Sequence, residues 1–537
     1  MGYALLWVEV LAAAVLLAAL GMTSVARRKG RPWRVASAAG MLLACLSPGL
    51  VMGFGAYLFT YIYLLLCPWL AYAASWTAVA AAACSLVLWR GLRTGADGRP
   101  AALGWPRGRL ALSTAGAVVL AVMTFWNLDL AALHQLATLR TEAGAMALAA
   151  APARVPDREN AALVYAQAFE SLRGVPKPTD EQSDARDAWV RDPAQMKQHL
   201  GDAALRQTLA AAGPGLDLVR QAAALPDCTF ERNYGHPGFD MLLPELAELR
   251  SAARLLELDA AVRAAEGKPR EALADVTALL GMASHAGQEP LIMSSLVGFS
   301  IHAVGVRSLE TALGTTRPTS DDLAQASLDS AGPHQRGMAR AMQMEEAFGL
   351  SAFAMLGDDA GGNLRAAIGM ARVAQPLVAV WRVFLMPSDV ASYRRVMEQY
   401  RMLAAKPFYE THAEWEDWAR DKWVREIGML TRQIAPALSR CAQTAATADA
   451  RHQAARLGLA AAAYRLKHGR PPAQPADLVP EFLPAVPLDP FDGKPMKMVT
   501  SSNEVIFYSI GDDLKDDGGT PWDDKTRAGD VTFRVGG

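Results

Sequence analysis

Six aspartates fall within thirteen positions near the C-terminal end of the chain: Asp512, Asp513, Asp516, Asp517, Asp523 and Asp524. Gly511, Gly518 and Gly519 lie among or beside them. Carboxylates this close repel one another unless a hard cation or solvent separates them. Calcium takes roughly six to eight oxygens, and glycines let a chain wrap so that its carbonyls contribute. The expected ligand set is Asp512, Asp513, Asp516, Asp517 and Asp523, with Asp530 following. An EF-hand does not fit. Asp513, Asp517, Gly518 and Asp524 match its spacing, but Lys515 occupies a ligand position and no helix precedes the loop. A solvated acidic turn is the competing account, because Asp and Gly are the ordinary turn residues.

The flanking residues say what positions this loop. Ala442 to His468 carry Ala, Leu and Tyr at helical spacing, and Gly469 with Arg470-Pro471-Pro472 stops the helix. Pro484, Pro487, Pro490 and Pro495 keep the following segment extended. Glu504 to Ile510 is β-branched and aromatic and reads as a strand, and Asp530 to Arg534 reads as the closing strand.

This order resembles the globular end of the type II secretion major pseudopilins. Tyr464, Gly469 and Pro472 match the family's helix ending, and Asp489-Pro490-Phe491-Asp492-Gly493-Lys494-Pro495 matches its Asp-Pro-Trp-Gly-x-Pro box. Ser509-Ile510-Gly511-Asp512-Asp513 matches the calcium loop, and Asp530-Val531 the closing step. Phe491 stands where the family has Trp, and Asp492 is inserted before the Gly. The start, MGYALLWVEV, lacks the family's Gly-Phe-x-x-x-Glu junction, so prepilin processing is not expected. The resemblance covers residues 441–537 and implies a calcium-stabilised α+β module. The whole chain also resembles a broad set of bacterial multi-span membrane proteins with the same ending, a likeness that implies no activity.

The first 126 residues are a different material. Tyr3 to Val25 is apolar apart from Glu9, Val35 to Trp89 is without charge, and Leu110 to Trp126 is apolar again. The second run is long enough for two spans, which makes four in all. Arg27, Arg28, Lys29, Arg31 and Arg34 follow the first span, and Arg90, Arg93, Arg99, Arg107 and Arg109 follow the third. Positive loops stay in the cytoplasm, so both termini are expected outside it. The expected place is the bacterial inner membrane, multi-pass, with the C-terminal domain extracytoplasmic. Ten of 53 basic and two of 54 acidic residues precede residue 127, which leaves 43 against 52, a net charge of −9. That balance argues against nucleic acid. Cys228 and Cys441 are the two cysteines beyond the spans, and an oxidising compartment would permit a pair.

Residues 127–440 read as helical. Leu243 to Ala265 and Arg270 to Ala283 flank Glu266-Gly267-Lys268-Pro269 and are similar to a tetratricopeptide hairpin. Gln375 to Met386 is apolar around Arg382, too short to span and most simply a core helix. Trp415, Trp418 and Trp423 fit a packing seam. No HExxH, G-x-S-x-G, Walker or Rossmann pattern occurs. His285 with Glu289, and His412 with Glu414 and Glu416, are the nearest to acid–base or metal pairs.

The expected fold is mainly α: four transmembrane helices over 1–126, an extracytoplasmic helical domain over 127–440 and a pseudopilin-like module over 441–537. The expected role is binding or scaffolding at the cell envelope, with the lipid bilayer and secretion-system proteins as partners. An envelope enzyme working around His285 or His412 is the alternative.

Overall fold

The computed structural model describes residues 107–537 apart from 239–240, 242, 327, 329–333, 358–380, 420–427, 429–430, 502–503, 524 and 537. The first three expected spans lie outside the described residues. The fourth falls within α1 (Arg107–Ala150), a 44-residue helix. About 20 residues suffice to cross a bilayer, and α1 continues without a break past Trp126 to bury Leu136, Ala143 and Ala147. The sequence boundary at 126/127 therefore has no counterpart in the backbone.

Two compact units make up the chain: 1–140 with 353–388, and 141–352 with 389–537. In the first, Arg382 is 8% exposed and donates from Nε and Nη2 to Asp129 at 2.6–2.8 Å, and from Nη1 to the Gly357 carbonyl. The only charge in the 375–386 run is thus a buried, paired one. Phe353 stacks on Trp381 nearby, with ring centroids 6.4 Å apart.

The second unit is mainly helical with one small sheet. Its helices are α2 (Ala161–Leu172), α3 (Asp180–Arg191), α4 (Pro193–Gln198), α5 (Ala203–Ala223), α6 (Pro244–Ala265), α7 (Pro269–Gln288) and α8 (Ile292–Thr315). There follow α9 (Ser320–Gln325), α10 (His334–Gly357, which ends in the first unit), α11 (Met386–Ala404), α12 (Phe408–Ala419) and α13 (Thr431–His468). Local chemistry sets several ends. Asn160 caps α2 by accepting from Ala162 N–H, and Thr179 with Gln182 forms a capping box on α3. Gly267 at φ +74° ends α6, and Pro269 opens α7 where its missing N–H costs nothing. Arg465, Lys467 and His468 sit in the last turn of α13, complementing its dipole before Gly469 at φ +68°.

By length and composition alone, helix α8 is long and apolar enough to cross a membrane. Its apolar window is 67% buried by α6, α7 and α13, so its composition is that of a core helix.

Strands β1 (Lys497–Ser501), β2 (Glu504–Ser509) and β3 (Val531–Gly536) form an antiparallel sheet in that order, with Lys497 opposite Tyr508 and Phe507 opposite Phe533. Alternation puts Val505, Phe507, Phe533 and Val535 on one face, and that face is buried. Their cluster continues through Ala454, Leu457 and Ala461 of α13 to Val306 and Leu309 of α8 and Leu273 of α7. The tail therefore shares its core with the helices. The sequence boundary at 440/441 falls inside α13, and Glu310 of α8 accepts the Arg534 N–H at 3.0 Å on the outer side of β3.

Close approach to α13 depends on its small residues. A Cβ on Gly458 would meet the Phe533 ring at 2.2 Å. Gly-to-Ala inside a helix normally stabilises by about 1 kcal/mol. Here Gly458→Ala is expected to lower the thermal midpoint, since overpacking a closed core costs about 1–3 kcal/mol. A raised midpoint would show that the ring has room to move.

Candidate functional site

The acidic segment is held by an aspartate outside the expected ligand set. Asp489 is fully buried and accepts from Ser509 Oγ at 2.7 Å, Ile510 N–H at 2.9 Å and Phe491 N–H at 2.9 Å. One side chain thereby joins the proline-rich turn to the end of β2. Burial raises its carboxyl above the usual range, and the three bonds pull it back. Against this turn lies α12, with Phe408 edge-on to Phe491 (centroids 5.5 Å) and Tyr409 over Gly493 at φ +70°. A Cβ on Gly493 would sit 2.8 Å from the Tyr409 ring, so both backbone and space call for glycine there.

The loop then folds back across the sheet's outer face. Gly511, Gly518 and Gly519 all have φ between 65° and 82°, and Leu514 and Arg527 adopt the same left-handed region at a strain that side chains rarely accept. Gly519 lies over Ile506 and Tyr508. Asp530, 1% exposed, accepts Gly519 N–H at 2.7 Å on one oxygen and Asp517 N–H at 3.4 Å on the other. Burial raises its carboxyl against those bonds. Asp516 takes Lys497 Nζ at 2.8 Å, Tyr508 hydroxyl at 3.1 Å and Gly518 N–H at 3.2 Å, and the lysine bond holds its carboxyl low. These two aspartates clamp the loop.

Asp512 and Asp513 sit at the other end. Asp512 is hydrogen-bonded by Gln443 of α13; burial raises its carboxyl, while Arg527 and His412 pull it down. One oxygen of Asp513 accepts Lys515 N–H at 3.1 Å; its Oδ2 is buried without a hydrogen-bond partner. Asp517 is exposed and its carbonyl accepts from Thr520. Asp523 is exposed in a separate turn, accepting Lys525 N–H at 2.9 Å. Asp524 lies outside the described residues. The six expected ligands thus divide among three places, and among the described residues no three His, Cys, Asp or Glu side chains group to hold a metal. Lys497 and Tyr508 were the readable omission, since they stand opposite each other once β1 and β2 are paired in register.

The two histidine pairs have different fates. His285 Nε2 donates to the Leu225 carbonyl at 2.9 Å, so Nδ1 accepts the Tyr165 hydroxyl at 2.9 Å. Burial lowers the pKa of the ring against the Leu225 bond and the Asp227 charge, and both nitrogens are used. Glu289 turns instead to Arg232 and Ser294. His412 lies 3.6 Å from Glu416 and beside Asp512, at the edge of the acidic loop. Glu414 is exposed. Trp415 packs on Tyr400 with centroids 4.9 Å apart; Trp423 lies outside the described residues. Cys228 and Cys441 are both buried and are not joined in a disulfide, each thiol pushed up by burial.

Comparison with family models, with curated proteins and with solved structures finds no match for this chain.

Proposed function

We propose that this chain is a membrane-anchored binding or scaffolding protein of the bacterial cell envelope. Four N-terminal spans hold it in the inner membrane, and the helical domain with its pseudopilin-like end faces outward, where secretion-type envelope proteins are its partners. The net charge of −9 beyond residue 126 suits that side and argues against nucleic acid.

The acidic loop takes calcium. The observation that carries this is the Asp513 Oδ2 atom, buried without a hydrogen-bond partner in a loop where Asp512, Asp516 and Asp530 each accept from a donor. An unsatisfied buried carboxylate oxygen is costly, and a hard cation satisfies it. Asp513 and Asp512 hold the ion, with main-chain carbonyls and water completing the shell. Asp530 and Asp516 keep the loop folded, and Asp517 and Asp523 add negative charge that attracts the cation.

The test is thermal unfolding of the full-length chain in detergent, with calcium and with chelator. A ligand bound only to the folded state at a hundredfold its dissociation constant stabilises by about 2.7 kcal/mol. Calcium is expected to raise the midpoint in the wild type and not in Asp513→Ala. If calcium leaves the wild type unchanged, the loop is an acidic turn and the metal proposal fails.

A further inference from the structure

At the junction of α5, α6 and α7 four carboxylates share two guanidiniums. Arg220 of α5 reaches Asp217 at 2.7 Å, Asp259 of α6 at 2.5 Å and Asp275 of α7 at 2.7 Å. Arg263 of α6 reaches Asp259 at 3.0 Å, Asp275 at 3.4 Å and Glu271 at 3.8 Å. With every group charged, two negative charges are left over in a site that water reaches only from its rim. Asp217 and Glu271 stand at that rim, 69% and 52% exposed at the side chain, whereas Asp275 has no exposed surface. Solvent screens the first two. Nothing but the two arginines screens the third.

We propose that Asp275 is a proton-linked lock on the joint between α5 and the α6–α7 pair, closed when Asp275 carries a proton and loosened as it ionises. The geometry accommodates the proton. Arg220 Nε donates to Oδ1, an oxygen that still accepts as the carbonyl of a neutral acid, while Oδ2 has no hydrogen bond and meets only Arg263 Nη1, as an ion pair at 3.4 Å. Protonation on Oδ2 keeps the Arg220 bond that joins α5 to α7, gives up only the longer Arg263 pair and removes one of the surplus charges. Burial pushes the Asp275 carboxyl up to about 7, with Arg220 and Arg263 pulling the other way and Asp259 adding to the rise.

The charged groups of α8 and α9, the other helices packed on α7, are engaged elsewhere or exposed. Arg307 of α8 is paired with Glu257, and Glu310 of α8 accepts the Arg534 N–H. Asp322 of α9 caps Thr319, and Asp321 is exposed.

The sign follows from linkage. An acid whose folded value is raised binds its proton more readily in the folded state. It therefore contributes stability below its ordinary value near 4, and that contribution is lost as pH rises towards about 7. Denaturant unfolding of the full-length chain in detergent, from pH 5 to 8, tests this alongside Asp275→Asn and Asp259→Asn. Relative to Asp275→Asn, the wild-type folding equilibrium is expected to fall by about tenfold per pH unit between 5 and 6.5. Asp259→Asn removes a neighbouring negative charge and frees both arginines, so its pH-dependent loss is expected at lower pH than in the wild type. Parallel profiles for wild type and Asp275→Asn overturn the proposal. If Asp275→Asn does not fold, an unmoved profile in Asp259→Asn overturns it.

Discussion

Replacing Arg232 by Ala is expected to destabilise the second unit by about 3–5 kcal/mol, the usual result of leaving a buried carboxylate without its partner. The Arg232 side chain is 3% exposed, in the segment that links α5 to α6. It donates to Glu289 from Nη2 at 2.6 Å and from Nε at 3.1 and 3.2 Å, and to Glu245 from Nη2. Burial works against its charge, but the bonds and charges of Glu289 and Glu245 more than restore it. Glu289 already has its carboxyl raised by burial in spite of the arginine, so in the variant the cost falls on Glu289. Two readouts separate this from loss of packing alone. The deficit should shrink as pH falls, because a raised carboxyl stabilises the folded state once protonated. Adding Glu289→Gln to the variant should return part of the loss. A thermal midpoint within a degree or two of wild type would mean that the pair is dispensable.

Asp489→Ala comes next, at about 3 kcal/mol. Three donors lose their acceptor, two of them backbone N–H groups that stay buried at Phe491 and Ile510. Each buried donor left unsatisfied costs about 1–3 kcal/mol, reduced where the backbone relaxes or water enters. The effect should be the same with calcium and with chelator, since the Asp489 carboxylate is taken up by the donors of Phe491, Ser509 and Ile510. A loss that chelator erases would instead make Asp489 part of the ion site. Thermal melts of the full-length chain under both conditions decide between them.

Much of the helical scaffold was legible because its signals are local. Gly267 and Pro269 mark the break between α6 and α7, and Gly469 with Arg470-Pro471-Pro472 marks the end of α13. Glu504 to Ser509 is a strand by its β-branched and aromatic residues, and the loop glycines stand where positive φ is needed. Each follows from a few neighbouring residues and their steric limits. Helices α3 and α4 and the long segment between α5 and α6 leave no comparable mark in the sequence, since their apolar spacing is weak. That segment is held mainly from elsewhere: Asn160 bonds both the N–H and the carbonyl of Thr229, and Gln288 bonds Cys228 N–H and the Pro226 carbonyl.

The aspartates show where sequence reasoning stops. Six aspartates and two glycines within thirteen positions establish that negative charge is concentrated and that the backbone can wrap; this depends on residue type alone. Which carboxylates face each other depends on where the loop lands on the sheet. Tertiary structure decided that: Asp530 and Asp516 are committed to backbone N–H groups, Lys497 and Tyr508, Asp523 turns away, and Asp513 keeps an unpaired oxygen. The same division separates His285 from Glu289. Four residues apart on paper, they are drawn in different directions by Tyr165 and Leu225 on one side and Arg232 on the other. Burial exacts a partner for most polar groups, and that partner comes from wherever packing brings the chain, which for Arg382 and Asp129 is 253 positions away.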